Sequence, residues 1–262
     1  MTCDLCSDEK YLLANVEGVL KATICGCFAC DQCDGQGTTY DDGDDGCSTA
    51  KPCKCASLRE GIRLLNQSGI PGRFCDVTLN GYEPGTPSQS EARTLAADYI
   101  RDFEQTPQGL VLMGFPGVGK THLAVSVVKE LALKKGVVCK FTDFSDLLAD
   151  LRHGYSQNIS DRNLLKPYLD SKVMVIDELG KGRNTEWELA IMDQVISARY
   201  NAGDKITICT SNYLSTDNRY SLKERVGMRV YSRLVEMCRF VKIEGVDYRQ
   251  RHIAPEEQCL LR

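Results

Sequence analysis

The sequence predicts an α/β domain built on a parallel sheet and preceded by a small, cysteine-rich metal module. Short apolar runs at 110–113, 137–141, 173–176 and 206–209 alternate with helix-length amphipathic segments, the pattern of buried parallel strands covered by helices. A glycine-rich string, Gly114-Phe-Pro-Gly-Val-Gly-Lys120-Thr121, lies between the first of these strands and its helix. Before residue 56, eight of the fourteen cysteines form two copies of one spacing, a CxxC followed by a CxC.

The cysteine module comes first in the chain, at 1–56. Its first copy is Cys3, Cys6, Cys25 and Cys27, with 18 residues between the pairs, and its second is Cys30, Cys33, Cys53 and Cys55, with 19. Each close pair presents two thiolates to one ion, and two pairs complete the four-sulfur tetrahedron of a structural zinc, so two Zn2+ are expected. An all-cysteine shell leaves no open coordination position, which argues against catalytic zinc. The module is acidic, with ten Asp and Glu against four Lys and Arg, whereas the rest of the chain has 26 against 28. A unit this small with little apolar content depends on its metal to fold. Cys47 stands outside both copies.

No basic-then-apolar leader opens the sequence, and no stretch approaches the roughly 18 apolar residues of a membrane span. A cytoplasmic protein with no membrane partner is expected. In that reducing compartment, cysteines serve as metal ligands rather than disulfides.

Residues 57–108 are expected to be a linker with leading helices. A helical stretch at 57–67 gives way to a Gly-, Pro- and Thr-rich segment at 68–87. Helical spacing then returns at 90–104, with Leu95, Ala96, Tyr99, Ile100 and Phe103 on one side. The α/β domain proper is expected at 109–262.

The glycine-rich string satisfies the eight-position phosphate-loop pattern in the strand-to-helix context that pattern requires. Glycines let backbone N–H groups curl around phosphates, and the helix N-terminus adds positive potential. Lys120 would reach the β- and γ-phosphates of ATP, and the Thr121 hydroxyl would hold Mg2+. Candidate nucleotide contacts are therefore Gly114, Pro116, Gly117, Val118, Gly119, Lys120, Thr121 and His122. Some fifty residues on, the apolar run 173–176 ends in Asp177 and Glu178. Asp177 would be the second magnesium contact, and Glu178 the general base that polarises the attacking water. The strand at 206–209 leads to Asn212, whose amide fits a position that senses the γ-phosphate or orients the water. Together these features predict a Mg-dependent ATPase.

Residues 57–255 resemble the DnaC/DnaI/IstB group of AAA+ ATPases, helicase loaders and transposition helpers that share one ATPase domain. The resemblance rests on Ser68-Gly-Ile-Pro-Gly-Arg-Phe74, 109–124, 140–151, Asp177-Glu-Leu-Gly180, Arg199-Tyr200, Thr210-Ser-Asn212 and Asp247-Tyr-Arg249, in the family's order. It implies a P-loop NTPase of AAA+ type with a five-stranded parallel sheet in the order 5-1-4-3-2, a short or absent lid, and an ATP site completed by a neighbouring subunit of a homo-oligomer. It also implies that the segment 227–234 carries an arginine finger acting in trans, Arg233 first and Arg229 second, and that Arg249 is a second sensor in cis. A zinc-binding front in this family favours a loader that binds the replicative helicase and single-stranded DNA. Two alternatives are an IstB-like accessory ATPase of transposition and a zinc-based adaptor that binds nucleotide without turnover. Arg152, His153 and Tyr155 are candidate DNA contacts. Nine basic residues between Arg219 and Arg251 face four acidic ones, a further candidate surface for phosphate.

Overall fold

The computed structural model describes residues 3–42, 47–106, 108–214 and 221–250. It separates into two compact units, Met1–Asp76 with Lys129–Cys139, and Val77–Val128 with Lys140–Arg262. The segment expected as a linker thus divides at Asp76. Arg219 and Arg251 of the basic run lie outside the described residues, as does everything after Gln250 where a lid would follow.

In the first unit the sequence repeat becomes a structural one. β1 (Tyr11–Val16) pairs with β2 (Val19–Ile24), and β3 (Thr38–Asp42) with β4 (Ser48–Pro52), each as an antiparallel hairpin. Each hairpin is entered from a CxxC turn and left into a CxC turn. The turns share their main backbone bonds. Ser7 N–H donates to Cys3 O and Asp34 N–H to Cys30 O, while Cys25 N–H donates to Lys10 O and Cys53 N–H to Gly37 O. The copies differ in what they pack against. β2 lies on α1 (Ala56–Asn66), burying Leu20 and Ala22, and the Asn66 amide exchanges bonds of 2.6 and 2.9 Å with the Ala22 backbone. β4 is exposed along its length, and Tyr40 on β3 is 64% exposed.

The second unit opens with α2 (Pro87–Arg101), which starts earlier than its apolar spacing suggests. Thr86 is the reason: its hydroxyl caps Gln89 N–H, and Pro87 occupies the first turn, where no N–H is needed. There follow β5 (Gly109–Met113), α3 (Lys120–Lys135), β6 (Cys139–Asp143), α4 (Phe144–Ser156), α5 (Asp161–Asp170), β7 (Val173–Asp177), α6 (Glu186–Ala202), β8 (Ile206–Ser211), α7 (Leu222–Val226), α8 (Met228–Met237) and β9 (Cys238–Lys242). β6 begins two residues later than its apolar run because Val137 N–H is spent on Leu131 O, closing the end of α3. A capping box between Thr185 and Glu188 starts α6.

The sheet order is β6-β7-β8-β5-β9, which counted from β5 is the expected 5-1-4-3-2. β5 runs parallel to β8 and β9, and β7 parallel to β8. Every residue of β5, β7 and β8 is buried, as central parallel strands with covered faces require. The core joins Val111, Leu151, Met174, Ile196, Cys209 and Leu234 among others. Among the described residues no helix is long and apolar enough to cross a membrane.

Candidate nucleotide site and metal centres

Parallel topology brings the C-terminal ends of β5, β7 and β8 together, and the predicted phosphate-site residues meet there. The Thr121 hydroxyl, at the start of α3, donates to Asp177 Oδ1 at 2.8 Å, and the Thr210 hydroxyl on β8 donates to the same oxygen at 2.5 Å. Thr210 Oγ1 in turn accepts from Glu178 N–H at 2.9 Å. Asp177 is 2% exposed; burial raises its pKa, and the two hydroxyl bonds pull it back. Lys120 donates to Gly114 O and Phe115 O, both at 2.8 Å. Burial lowers the pKa of its ammonium to about 8, against the opposing pull of Asp177 and Glu178.

Glu178 sits just past β7 in the left-handed region, with φ +56°, a conformation that a non-glycine residue holds only when its surroundings impose it. Its carboxylate is partly exposed and pairs with Lys181. Asn212 follows β8 directly and is exposed.

Two parts of the chain pack on the phosphate loop, the segment before α2, which pattern reading did not connect with the site, and the Asp247–Arg249 turn, which the resemblance did. From the segment before α2, the Tyr82 hydroxyl donates to Val118 O at 3.0 Å and Gln89 Nε2 to the same oxygen at 3.2 Å. A Cβ on Gly119 would stand 2.4 Å from the Tyr82 ring, so this position must be glycine on grounds of space as well as its φ of +95°. His122 meets the Tyr82 ring edge-on with centroids 5.2 Å apart, and its Nε2 lies 2.7 Å from Thr78 O. From the other end, Tyr248 N–H donates to Gly117 O at 3.0 Å, and a Cβ on Gly117 would collide with the Asp247 carboxylate. Arg249 belongs to the same short turn, and its charge is felt at Lys120. Val118, Gly119 and His122 therefore pack on the 78–89 segment, and Gly117 on the Asp247–Arg249 turn. A separate shallow cavity between α2 and β9, lined by Ser90, Asp98, Tyr99, Arg239 and Lys242, shares no residue with this loop.

Arg233 and Arg229 lie one turn apart on α8, facing α6. Arg233 Nη1 reaches Asp193 Oδ1 at 2.7 Å and Ser197 Oγ at 2.6 Å, with 21% of its side chain exposed. Arg229 is 75% exposed and 3.6 Å from Asp193 Oδ2. Among the described residues, their side-chain partners are those of α6, not the phosphate loop. The candidate DNA contacts are exposed but also partnered within the fold: Arg152, 56% exposed, pairs with Glu188 at 3.2 Å and stacks over Trp187, and the hydroxyl of Tyr155, 44% exposed, bridges Trp187 and Asp161. His153 is exposed.

The eight repeat cysteines form two four-sulfur clusters, each with all sulfurs within 4.8 Å of one another. Across the pairs the sulfurs stand 3.9 Å apart for Cys3 with Cys25, 3.4 Å for Cys6 with Cys27, 3.5 Å for Cys30 with Cys53 and 3.3 Å for Cys33 with Cys55. Disulfide sulfurs would stand about 2 Å apart. Four thiolates at Zn–S of about 2.3 Å in a tetrahedron stand about 3.8 Å apart, so both clusters fit zinc. Gly37 N–H donates to Cys33 Sγ at 3.2 Å, the kind of outer bond that orients a ligand sulfur. Cys47 is exposed and belongs to neither cluster.

A family model described as IstB-like ATP binding protein matches residues 59–255. The chain belongs to that family. It is similar to the uncharacterized protein YqaM of Bacillus subtilis (strain 168), 26% identical over 201 residues, covering 72% of this chain and 61% of YqaM. The replicative helicase loader DnaC of Escherichia coli (strain K12) is 25% identical over 173 residues, covering 66% of this chain and 68% of DnaC. The first of these matches thus spans less than two thirds of the relative. Among solved structures, the crystal structure of the DnaC helicase loader superposes with a TM-score of 0.59 and 34% identity, over 66% of this chain and 99% of that one. The second unit is accordingly a P-loop domain of AAA+ type.

Proposed function

We propose that this protein is an ATP-hydrolysing loader of the replicative DNA helicase that acts on single-stranded DNA during replication initiation or restart. The observation that carries the proposal is the convergence of Lys120, Thr121, Asp177 and Glu178 at the strand ends, in a domain like that of the DnaC helicase loader.

The loop amides and Lys120 would bind the ATP phosphates, and Arg249 would add a cation from the same chain. Thr121 and Asp177 are the residues that would hold Mg2+, which when bound neutralises phosphate charge. Glu178 accepts a proton from water as the water oxygen bonds to the γ-phosphorus. The bond from that phosphorus to the β,γ-bridging oxygen breaks, and ADP leaves with its electron pair. Asn212, beside the end of β8, orients this water or senses the γ-phosphate. Arg233 of one subunit completes the site of the next in a homo-oligomer. The two cysteine clusters would hold Zn2+, which when bound would stabilise the front unit, and that unit engages the helicase.

The test is the steady-state ATPase rate of zinc-loaded protein alone, with single-stranded DNA and with duplex, beside Arg233→Ala and a binding assay with the replicative helicase. Stimulation chiefly by single strands, lost in the variant, together with helicase binding supports the loader. Stimulation selective for duplex replaces it with the transposition reading. Absence of turnover under every condition replaces it with the adaptor.

A further inference from the structure

The two cysteine copies of the front unit allow like to be compared with like. Leu13 on β1 stands opposite Ala22 on β2, and Tyr40 on β3 opposite Ala50 on β4; counted from the neighbouring cysteines, these pairs hold equivalent places in the two hairpins. The ladders are also in the same phase. Cys25 N–H donates to Lys10 O and Cys53 N–H to Gly37 O, and alternation along an antiparallel pair then turns the N–H and C=O of Ala22, and likewise of Ala50, away from the partner strand and toward the outer edge.

In the first copy a helix occupies that edge. Ala22 is buried beneath α1, and the Asn66 side-chain amide both accepts from Ala22 N–H and donates to Ala22 O. In the second copy Ala50 and Tyr40 are exposed, and no group among the described residues bonds to Ala50 N–H or C=O from outside the hairpin. Ser48 stands where Leu20 stands in the first copy, so the apolar surface of the second seat comes chiefly from the Tyr40 ring. The helix that fills the first seat shows what such a seat takes. α1 buries Ile62, Leu64 and Leu65, carries Arg59 and Arg63 against Glu60 alone, and ends in the Asn66 amide.

We propose that the Tyr40 face and outer β4 edge of the second hairpin form a docking site for an amphipathic helix of the helicase, seated as α1 is seated on the first hairpin. This rests on the reading above, in which the front unit engages that partner. The incoming helix lays an apolar stripe on Tyr40 and offers an Asn or Gln amide to the Ala50 backbone, whose donor and acceptor burial would otherwise leave unpaired. Its flanks are basic, complementing a module with ten acidic residues against four basic ones, among them the exposed Asp31 and Asp34 beside this hairpin.

The test is the affinity of the full, zinc-loaded chain for the purified replicative helicase. Tyr40→Ser removes the apolar anchor and should weaken binding roughly ten- to a hundredfold. Ala50→Pro removes only the outward N–H, at a position where an edge strand tolerates proline, and should weaken it by about tenfold or more. Thr49→Gln, on the opposite face of β4, should bind as the parent does. Unchanged zinc content and melting temperature establish that each variant is folded. If the parent binds and both Tyr40→Ser and Ala50→Pro bind equally well, the docking site is overturned while the helicase reading stands. A loss in Thr49→Gln as large as in the other two also overturns it. If the parent itself does not bind the helicase, the reading of the front unit fails and the docking site falls with it. A parent dimer that Tyr40→Ser dissolves replaces the helix seat with an interface between two copies of this chain.

Discussion

Thr210 Oγ1 donates to Asp177 Oδ1 at 2.5 Å and accepts from Glu178 N–H at 2.9 Å, so one hydroxyl on β8 orients both acidic positions at the end of β7. Removing it leaves a buried N–H and a buried carboxylate each short of a partner. Thr210→Val should cost about 1–3 kcal/mol of stability and lower kcat more than it weakens ATP binding, with Thr210→Ser restoring both. Chemical unfolding and ATPase kinetics on the three proteins check this, and a Val variant with parental stability and kcat contradicts it.

Asp177 itself should trade stability for function. Burial raises its folded-state pKa above the unfolded value, so between the two values the folded state holds more proton and stability falls as pH rises through that window. Above it the cost of the buried charge is fully present. Asp177→Asn keeps an oxygen for Thr121 and Thr210 but carries no charge. It should therefore melt a few degrees higher than the parent near pH 7, by roughly 2–4 °C per kcal/mol for a unit this size, and the gain should shrink in acid. Turnover should be lost. Calorimetry at several pH values measures it, and an Asn variant that melts lower at every pH refutes the account.

What the sequence disclosed about the site followed from short-range pattern. Lys120 and Thr121 sit in one loop of fixed spacing, and the run ending in Asp177 took its meaning from following that loop, so their places at the strand ends were expected without tertiary information. Tyr82 was hidden because it lies in a Gly-, Pro- and Thr-rich stretch with no periodicity; only folding against Gly119 gives it a place. β9 escaped notice because an edge strand is half solvated. Cys238-Arg-Phe-Val-Lys242 reads as mixed, and only Cys238 of it is fully buried. The cysteine spacing revealed both clusters, but not that the first hairpin has a helix to pack on while β4 lies bare.

Arg199 illustrates the same limit. The resemblance marks Arg199-Tyr200, but nothing in the sequence shows that Arg199 is 1% exposed. Its guanidinium donates to Thr207 Oγ1 and to the carbonyls of Tyr168, Ser171, Lys172 and Ile206 at 2.5 to 3.3 Å. It thus ties the end of α5 to the starts of β7 and β8. Burial lowers its pKa to about 10, so it remains a cation at neutral pH. Arg199→Met leaves four carbonyls without this donor and should cost on the order of 3–5 kcal/mol. Arg199→Lys, with three donors at one point in place of a planar fork, should recover less than half of that. Urea unfolding decides, and a Met variant within 1 kcal/mol of the parent would falsify the tie, taking about 1 kcal/mol as the contribution of one ordinary hydrogen bond.

Metal content distinguishes two zinc clusters from eight ordinary thiols. Elemental analysis of the full chain should give two zinc per protein, since the two sulfur sets do not share a ligand. Cys6→Ser and Cys33→Ser should each bring the count to one, and the double variant to zero. Chelation should unfold the front unit, because its small apolar core does not compensate for a lost metal. Loss of both ions from a single substitution would show the clusters to be interdependent, and an absence of zinc in the parent would overturn the assignment.

The finger on α8 can be tested by mixing. Arg233 is held by Asp193 and Ser197 of its own α6, so reaching a neighbour's phosphates requires exchanging those bonds, whereas Arg229 is already largely free in solvent. Each substitution to Ala should leave ATP affinity near the parent value, and the one that removes the finger should reduce turnover by about 10³ to 10⁵. If the finger acts in trans, Arg233→Ala subunits retain an intact Glu178, and Glu178→Gln subunits retain an intact finger. Each is inactive alone, yet in an equal mixture about a quarter of the head-to-tail interfaces join a good base to a good finger. The mixture should then recover about a quarter of parental turnover. A mixture as inactive as its components means that Arg233 acts within its own chain, and full activity in Arg233→Ala alone passes the role to Arg229, whose substitution must then behave as described for Arg233.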